Sequence, residues 1–322
     1  MEPLITGLVN RGCDRVVAYC VAAQPVHQND SRQMETRLDM SDVPTVSIGM
    51  PVYNGAKYLA KAIEGLGGQT AGNVEIIVSD DGSRDASPDI LAAWAAGDAR
   101  VRVERHEQNV GTIANFEWLV ANAGGDYFMW AAQDDSWSPN YVEALRSALV
   151  DNPDADLAAG GNVLLTEDWH ERRRIDFPSH PAPGSARHKQ HLLRHARNGW
   201  FYGMYRRDVL LQALPLVRRF GHAWGHDFIT LLPFLLSGRV CGSNDATYYQ
   251  RITTNSADTL KPRSVATERR LYTDFLSVAL AALAAAGLSA AERAYLLPFV
   301  VKYTGRHSVK FRHLALRHIG IQ

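Results

Sequence analysis

Two pairs of adjacent carboxylates, Asp80-Asp81 and Asp134-Asp135, stand where the apolar runs 74–78 and 127–132 give way to polar chain. Neighbouring charges at the end of a buried strand cost free energy unless a cation or a ligand compensates them. The first pair opens the run Asp80-Asp81-Gly82-Ser83-Arg84-Asp85, and the second is followed by Ser136-Trp137-Ser138-Pro139. Asp and Ser also favour turns, and Ser138-Pro139 reads as an N-cap with proline at the first helical position. Taken singly, each pair fits a turn as well as a site. Two acidic strand ends in one open α/β sheet reach the same edge, where such sheets bind ligands, and so suggest one shared site.

Those carboxylates need a frame, and the chain supplies a regular one from residue 43 onward. Residues 45–50 read as a strand, and 56–66 as a helix with Leu59, Ile63 and Leu66 on one face and Gly67-Gly68 at its end. A strand at 74–78, a helix at 88–96 behind Ser87-Pro88, a strand at 101–104, a helix around 113–123 and a strand at 127–132 follow. This alternation predicts an α/β fold with a mostly parallel sheet covered by helices on both faces. The second half is less regular. A Pro-rich loop at 178–184 precedes a helix carrying His188, His191 and His195, which reads as a solvated face because no cysteine or acidic cluster completes a metal set. Helices are expected over 207–214, 227–236 and 262–286, with extended chain over 239–249 and a helical, basic tail. No internal repeat is present.

Composition narrows the function classes. With 322 residues, 46% hydrophobic and 21% charged, the chain is long and apolar enough to bury a full core. Lys+Arg and Asp+Glu balance at 34 each, so no global positive field points to nucleic acid. Cys13, Cys20 and Cys241 form an odd set without metal-like spacing, which fits three free thiols in a reducing, cytoplasmic setting. No apolar run reaches the roughly 20 residues of a membrane-spanning helix. Residues 16–23 are only a faint echo of a signal peptide, because Glu2 and Asp14 interrupt the basic flank. Residues 1–42 are expected to be a flexible leader, with Met34 and Met40 as alternative starts. His222 and His226 have the spacing of a zinc-protease helix, but Ala223 stands where that motif needs Glu. The first strand-to-helix turn also lacks the G-x-G-x-x-G of dinucleotide enzymes.

Val46-Ser47-Ile48-Gly49-Met50-Pro51-Val52-Tyr53-Asn54, with Tyr58-Leu59, Gln69-Thr70 and Ile77-Val78-Ser79-Asp80-Asp81-Gly82-Ser83, resembles the opening of the family 2 glycosyltransferases of GT-A fold. The similarity continues through Asn109-Val110-Gly111, Gly125-Asp126-Tyr127, Asp134-Asp135-Ser136-Trp137 and Tyr202-Gly203 with Arg206-Arg207. Gly225-His226-Asp227, Gly238-Arg239-Val240 and Tyr249-Gln250-Arg251 ahead of Asn255-Ser256 also fit, so the resemblance covers about 43–258. It implies an inverting enzyme of the bacterial surface-polysaccharide type. Such an enzyme moves a sugar from a nucleoside-diphosphate donor, UDP or dTDP favoured, to a hydroxyl of a glycan or lipid-linked glycan.

The resemblance also implies roles. Pro51 and Tyr53 would line the nucleoside pocket, Asp81 would meet a uracil or thymine edge, Asp134 would hold the ribose, and Asp80 would belong to the same nucleotide-sugar site. Asn109 and Arg251 would complete the nucleotide-sugar site, and Asp135 would ligate Mg²⁺ or Mn²⁺. Asp227 would be the base that takes the acceptor proton, although a carboxylate there also suits a helix N-terminus. Ala132 departs from the pattern where an earlier carboxylate is usual, which lowers the expected metal affinity. Trp130 and Trp137 suit either stacking on a ligand or the core. The expected organisation is a nucleotide-sugar half at about 43–137, an acceptor half at about 138–258 shaped partly by residues 178–198, and a helical extension at 259–322. The basic tail at 302–318 reads first as a solvated helix and second as one that rests peripherally on an anionic surface at the inner face of the cell membrane. Two alternatives are a non-catalytic sugar-nucleotide binding protein and a nucleotidyltransferase. The second usually opens with a Gly-rich basic loop, which Pro51-Val52-Tyr53-Asn54-Gly55 is not.

Overall fold

The computed structural model describes residues 45–179, 183–252, 262 and 264–309. The expectations for the leader at 1–42, with Met34, Met40, Cys13 and Cys20, for Asn255-Ser256, and for the tail past 309 lie outside the described residues.

The first half follows the alternation read from the sequence. Strands β1 (Val46–Val52), β2 (Val74–Asp80), β3 (Val101–Arg105) and β4 (Tyr127–Trp130) run parallel in the order β3-β2-β1-β4. Helices α1 (Leu59–Gly67), α2 (Ser87–Gly97) and α3 (Thr112–Ala121) fill the crossovers. Side chains alternate across the strands, so each face takes its own helices. Val46, Ile48, Met50, Val52, Ile76 and Val78 pack with Leu59 and Leu66 of α1 and Leu91 of α2. Ile77, Phe128 and Trp130 point the other way and meet Leu119 and Val120 of α3. Gly49 permits that second packing: a Cβ there would stand 2.6 Å from Phe128 Cζ and 3.0 Å from Leu119 Cβ, too close for a packed interior.

Past β4 the sheet becomes mixed. Strands β5 (Ser136–Trp137), β6 (Leu157–Leu165), β7 (Glu171–Ile175), β8 (Met204–Arg206) and β9 (Val240–Arg251) extend it as β4-β8-β6-β9-β5, with β7 on β6. Of the new pairings only β6 with β9 is parallel. Helix α4 (Tyr141–Asp151) joins the α1 and α2 face. The opposite face is covered by α3 with α5 (Ala186–His195), α6 (Arg207–Val217), α7 (His226–Ser237), α8 (Val265–Ala285) and α9 (Ala290–His307). Leu271, Phe275 and Val278 of α8 and Val300 and Tyr303 of α9 join the same apolar core as Phe128 and Trp130. Capping boxes, Ser264 with Thr267 and Ser289 with Glu292, fix where α8 and α9 begin. Among the described residues no helix is long and apolar enough to cross a membrane.

Several expectations are corrected. Ser138-Pro139 does not start a helix, because Ser138 is tied to β9: its N–H donates to Thr247 O at 2.9 Å and its Oγ accepts from Thr247 N at 3.1 Å. Helix α4 begins two residues after Pro139, at Tyr141, behind Asn140. Helix α1 begins at Leu59 rather than 56, because a turn closed by the Tyr58 N–H to Gly55 O bond of 2.8 Å precedes it. The histidines of α5 are not a solvated face. His188 is fully buried with Nε2 3.1 Å from Gly238 O, and the His191 and His195 rings stack with centroids 4.0 Å apart. Packing of α5 against α7 and α9 turns that face inward. Trp130, stacked on Phe201 at 4.4 Å, and Trp137 are core residues, and Cys241 is a buried free thiol.

Candidate functional site

Strands β1 and β2 end side by side, with Val52 opposite Asp80, and the loops that leave them are sewn together. Asn54 N–H donates to Ser83 Oγ at 2.8 Å, Gly55 N–H to Ser87 Oγ at 2.9 Å, Ala56 N–H to Asp85 Oδ2 at 3.0 Å, and Arg84 N–H to Asn54 Oδ1 at 2.9 Å. Much of the acidic run is therefore scaffold. Asp80 is buried, accepts Ser83 N–H at 3.0 Å across the Gly82 turn, and pairs with Arg105 at 3.2 Å. Gly82 has φ 71°, a conformation that glycine adopts without a Cβ penalty.

Asp81 does two things. Its Oδ1 accepts Val110 N–H at 2.6 Å and its Oδ2 accepts Gly111 N–H at 3.1 Å, holding the loop that enters α3. It also lines a cleft of about 200 Å³ with Pro51, Tyr53, Asn109, Asn115 and Asp134. Five residues assigned to the nucleotide sugar thus meet in one cleft: Pro51, Tyr53, Asp81, Asn109 and Asp134. Asp80 is not among its lining residues. Gln133, unforeseen as a site residue, positions Tyr53 by accepting its N–H at 3.0 Å and donating Nε2–H to its carbonyl at 3.3 Å. Asn115 is a second unforeseen member. Its Nδ2 donates to Ser79 O at 3.1 Å, whereas its buried Oδ1 has no partner among the described residues.

The second acidic pair divides inward and outward. Asp135 is buried, with Oδ2 accepting from the Tyr248 hydroxyl and Oδ1 accepting Arg251 N–H at 2.7 Å. Asp134 is partly buried and lines the cleft. Burial pushes the Asp134 carboxyl above its ordinary range while the Arg251 charge draws it back. Asp135 is driven well above that range by burial and then by the charge of Asp134. The Arg251 guanidinium is buried with Cζ 3.9 Å from the Tyr58 ring centroid and 5.1 Å from that of Trp169. Its Nε and Nη2 have no partner among the described residues. Arg251 therefore lies behind Asp134 rather than among the residues that line the cleft, with donors to spare.

Trp169 reaches that stack from the turn between β6 and β7, which is closed by Thr166 N–H to His170 O at 2.9 Å and anchored through Glu167 on Lys57 at 2.6 Å. Its φ of 64° is unusual for so bulky a side chain.

Asp227 opens on a second cavity of about 430 Å³, lined by Thr112, Phe116, Tyr202, Trp224, His226 and Arg306 among others. Thr112, Phe116 and Tyr202 also line the first cleft, so the two are contiguous. Tyr202 is held between them: its carbonyl accepts the Tyr141 hydroxyl at 3.0 Å and its ring stacks on Tyr248 at 5.0 Å. Burial raises the Asp227 carboxyl to about 6, partly offset by the N–H groups of Phe228 and Asp227. Its place in the first turn of α7 satisfies the helix-terminus reading as well, so the two readings do not exclude each other. His222 and His226 do not converge: His222 Nε2 lies 2.8 Å from Asp274 Oδ2, whereas His226 is buried against the cavity. Among the described residues no group of three His, Cys, Asp or Glu could hold a metal.

A parallel half-sheet whose strand ends supply a carboxylate cleft, continued by a mixed sheet whose covering helices α3, α7 and α9 enclose a second cavity with its own half-buried carboxylate, has the architecture of a GT-A type α/β protein. A family model described as Glycosyl transferase family 2 matches residues 47–213, and the chain belongs to that family. It is 37% identical over 134 residues to an uncharacterized glycosyltransferase of Rickettsia felis, 41% of this chain and 22% of that protein. The matched stretch spans between 14% and 38% of the length of such curated relatives. Among solved structures, TarS 1-349 of S. aureus in complex with UDP-GlcNAc superposes with a TM-score of 0.61 at 16% identity, covering 82% of this chain and 73% of that one. The mannosyltransferase PcManGT of Pyrobaculum calidifontis, in complex with GDP-Man and Mn²⁺, gives 0.51 at 14% identity, covering 86% and 79%.

Proposed function

We propose that this protein transfers a glycosyl unit from a nucleoside-diphosphate sugar, UDP or dTDP favoured, to a hydroxyl of a glycan or lipid-linked glycan, with inversion at the anomeric carbon. The observation that carries the reading is the continuity of the two cavities, one holding Asp81 and Asp134 and the other Asp227. In this reading the nucleoside lies between Pro51 and Tyr53, and Asp81 or the free Oδ1 of Asn115 accepts the base N–H. The diphosphate lies toward Arg251, whose unpaired N–H groups meet its oxygens. The acceptor hydroxyl, in the second cavity, loses its proton to Asp227 as its oxygen attacks the anomeric carbon. The bond from that carbon to the diphosphate oxygen breaks on the opposite side, leaving the electron pair on the diphosphate.

Divalent-metal use belongs to the same proposal, and the residues fit it in a limited way. Asp135 is engaged inward with Tyr248 and Arg251, so the metal role moves to Asp134, the carboxylate that lines the cleft. One carboxylate with diphosphate oxygens and water is an ordinary oxygen set for Mg²⁺ or Mn²⁺. A cation there would shield the charge on the departing diphosphate. The absence of a carboxylate at Ala132 supports a cation that arrives with the nucleotide. The cysteine set supports a cytoplasmic setting.

Calorimetric titration of UDP, dTDP and GDP with and without Mn²⁺ tests the donor half. Metal-dependent binding of one nucleotide, lost in Asp134→Asn, is expected. No binding of any of them would sink the reading.

A further inference from the structure

The wall of the acceptor-side cavity that lies farthest along the chain is built by the end of α9. Tyr303 donates its hydroxyl proton to Phe228 O at 2.8 Å, Trp224 Nε1–H donates to Ser308 O at 3.3 Å, and the His307 ring stacks on Phe228 with centroids 3.6 Å apart. Gly225, at φ 83°, lets the backbones meet, since a Cβ there would stand 3.1 Å from His307 O. Arg306, His307 and Ser308 thereby line the same cavity as Asp227, and all of them lie outside the stretch matched by the family model. The described part of the basic tail thus serves this cavity.

Arginines crowd this wall without a direct carboxylate partner among the described residues. Arg306 Nη1 donates to Arg194 O at 2.6 Å, and Arg197 precedes Asn198, itself a lining residue. Arg173 on β7 is near enough to repel Arg197, as Arg306 does. Among the described residues none of these three guanidinium groups pairs with a carboxylate. Burial and then the charges of Arg306 and Arg197 drive His307 down to about 3, which keeps it neutral. His226, 9% exposed, lines the cavity with Nε2 unpartnered among the described residues. A neutral imidazole suits a hydroxyl, and clustered unpaired guanidiniums suit a phosphoryl group.

We infer that the acceptor is a phosphorylated saccharide, with its phosphoryl group held at Arg306 and Arg197 and a ring hydroxyl near His226, so that the α9 end selects the acceptor. This rests on the transferase reading above and adds the class of its acceptor. The phosphate could belong to a polymer repeat or to a carrier attached at the anomeric carbon, and both present the same chemistry to the arginines.

Equilibrium titration in the presence of UDP and Mn²⁺ tests it, with glucose, glucose 6-phosphate, glucose 1-phosphate and glucuronate as probes. The full chain is compared with Arg306→Met, Arg306→Lys and Arg197→Met. At least tenfold tighter binding of one sugar phosphate than of glucose is expected. That ratio should collapse toward one in both Met variants and be partly retained in Arg306→Lys. Preference for the 6-phosphate supports a polymer repeat, and preference for the 1-phosphate supports a carrier linkage. Equal binding of glucose and both phosphates, an unchanged ratio in the Met variants, or tighter binding of glucuronate than of either phosphate would overturn the proposal. UDP affinity, measured separately, reports whether the donor half is intact. Its absence in the wild-type chain would overturn the transferase reading while leaving the phosphate preference of the cavity to be read on its own.

Discussion

Asp227 and the second acidic pair bear the sharpest tests at the level of single residues. A base whose carboxyl is raised to about 6 becomes competent as it ionises, so transfer should rise with pH across that value and level off above it. Asp227→Asn should lower transfer by roughly 10²–10⁴-fold and abolish the acid limb while leaving UDP affinity in place. An unchanged rate would remove Asp227 from the chemistry. The same shift predicts a stability effect of opposite sign. A carboxyl raised in the folded state penalises folding above about pH 6, and the penalty disappears below the unfolded value near ~3.9. Asp227→Asn should therefore raise Tm more at pH 7.5 than at pH 5, as thermal melts would read.

Asp134 and Asp135 should separate in the opposite manner. Asp134→Asn should lose metal-dependent nucleotide binding with little change in Tm. Asp135→Ala strands the Tyr248 hydroxyl and Arg251 N–H and should cost about 1–3 kcal/mol of stability. Equal melting temperatures for the two variants would contradict the inward and outward division.

The turn between β6 and β7 is a conformational device at the level of elements. Trp169 holds a left-handed backbone to place its ring on Arg251. Trp169→Gly should leave Tm level or higher, because relieved strain of about 1–3 kcal/mol offsets the lost contact, while UDP affinity falls several-fold. Unaltered affinity would reduce the stack to packing.

How far elements can be read from sequence differs between the halves. β1 to β4 and α1 to α3 were legible because periodicity, Gly67-Gly68 and Ser87-Pro88 are local signals. β6, β7 and β8 were not, since they form by pairing with partners far along the chain. β5 is two residues that pair with β9, which is why Ser138-Pro139 misled. Of the site, the cleft residues Pro51, Tyr53, Asp81, Asn109 and Asp134 could be chosen from motifs. The inward turn of Asp135 depends on Tyr248 and Arg251 N–H, and the burial of His188 depends on Gly238 O; no local signal carries either. Nothing near Arg306 in the sequence points to a cavity whose other wall is Thr112 and Phe116.

The C-terminal helices are part of the main core at the level of the whole molecule. Phe275, Val278, Val300 and Tyr303 pack in one apolar cluster with Phe128, Trp130 and Tyr205. A chain ending after Ile252 should therefore lose cooperative thermal unfolding rather than yield a smaller stable domain. A sharp, reversible melt of that truncation, with UDP binding, would refute the shared core.

The clamp of α9 onto α7 has a consequence for how the protein comes into being. Arg251 is synthesised before α8 and α9, so every residue lining the carboxylate cleft is made before the far wall of the Asp227 cavity. Because that wall and the core around Phe128 and Trp130 are one structure, the face of the sheet opposite α1 and α2 is covered only when the last helix is made. Completion of the last helix, rather than of β9, is therefore the step that closes the fold.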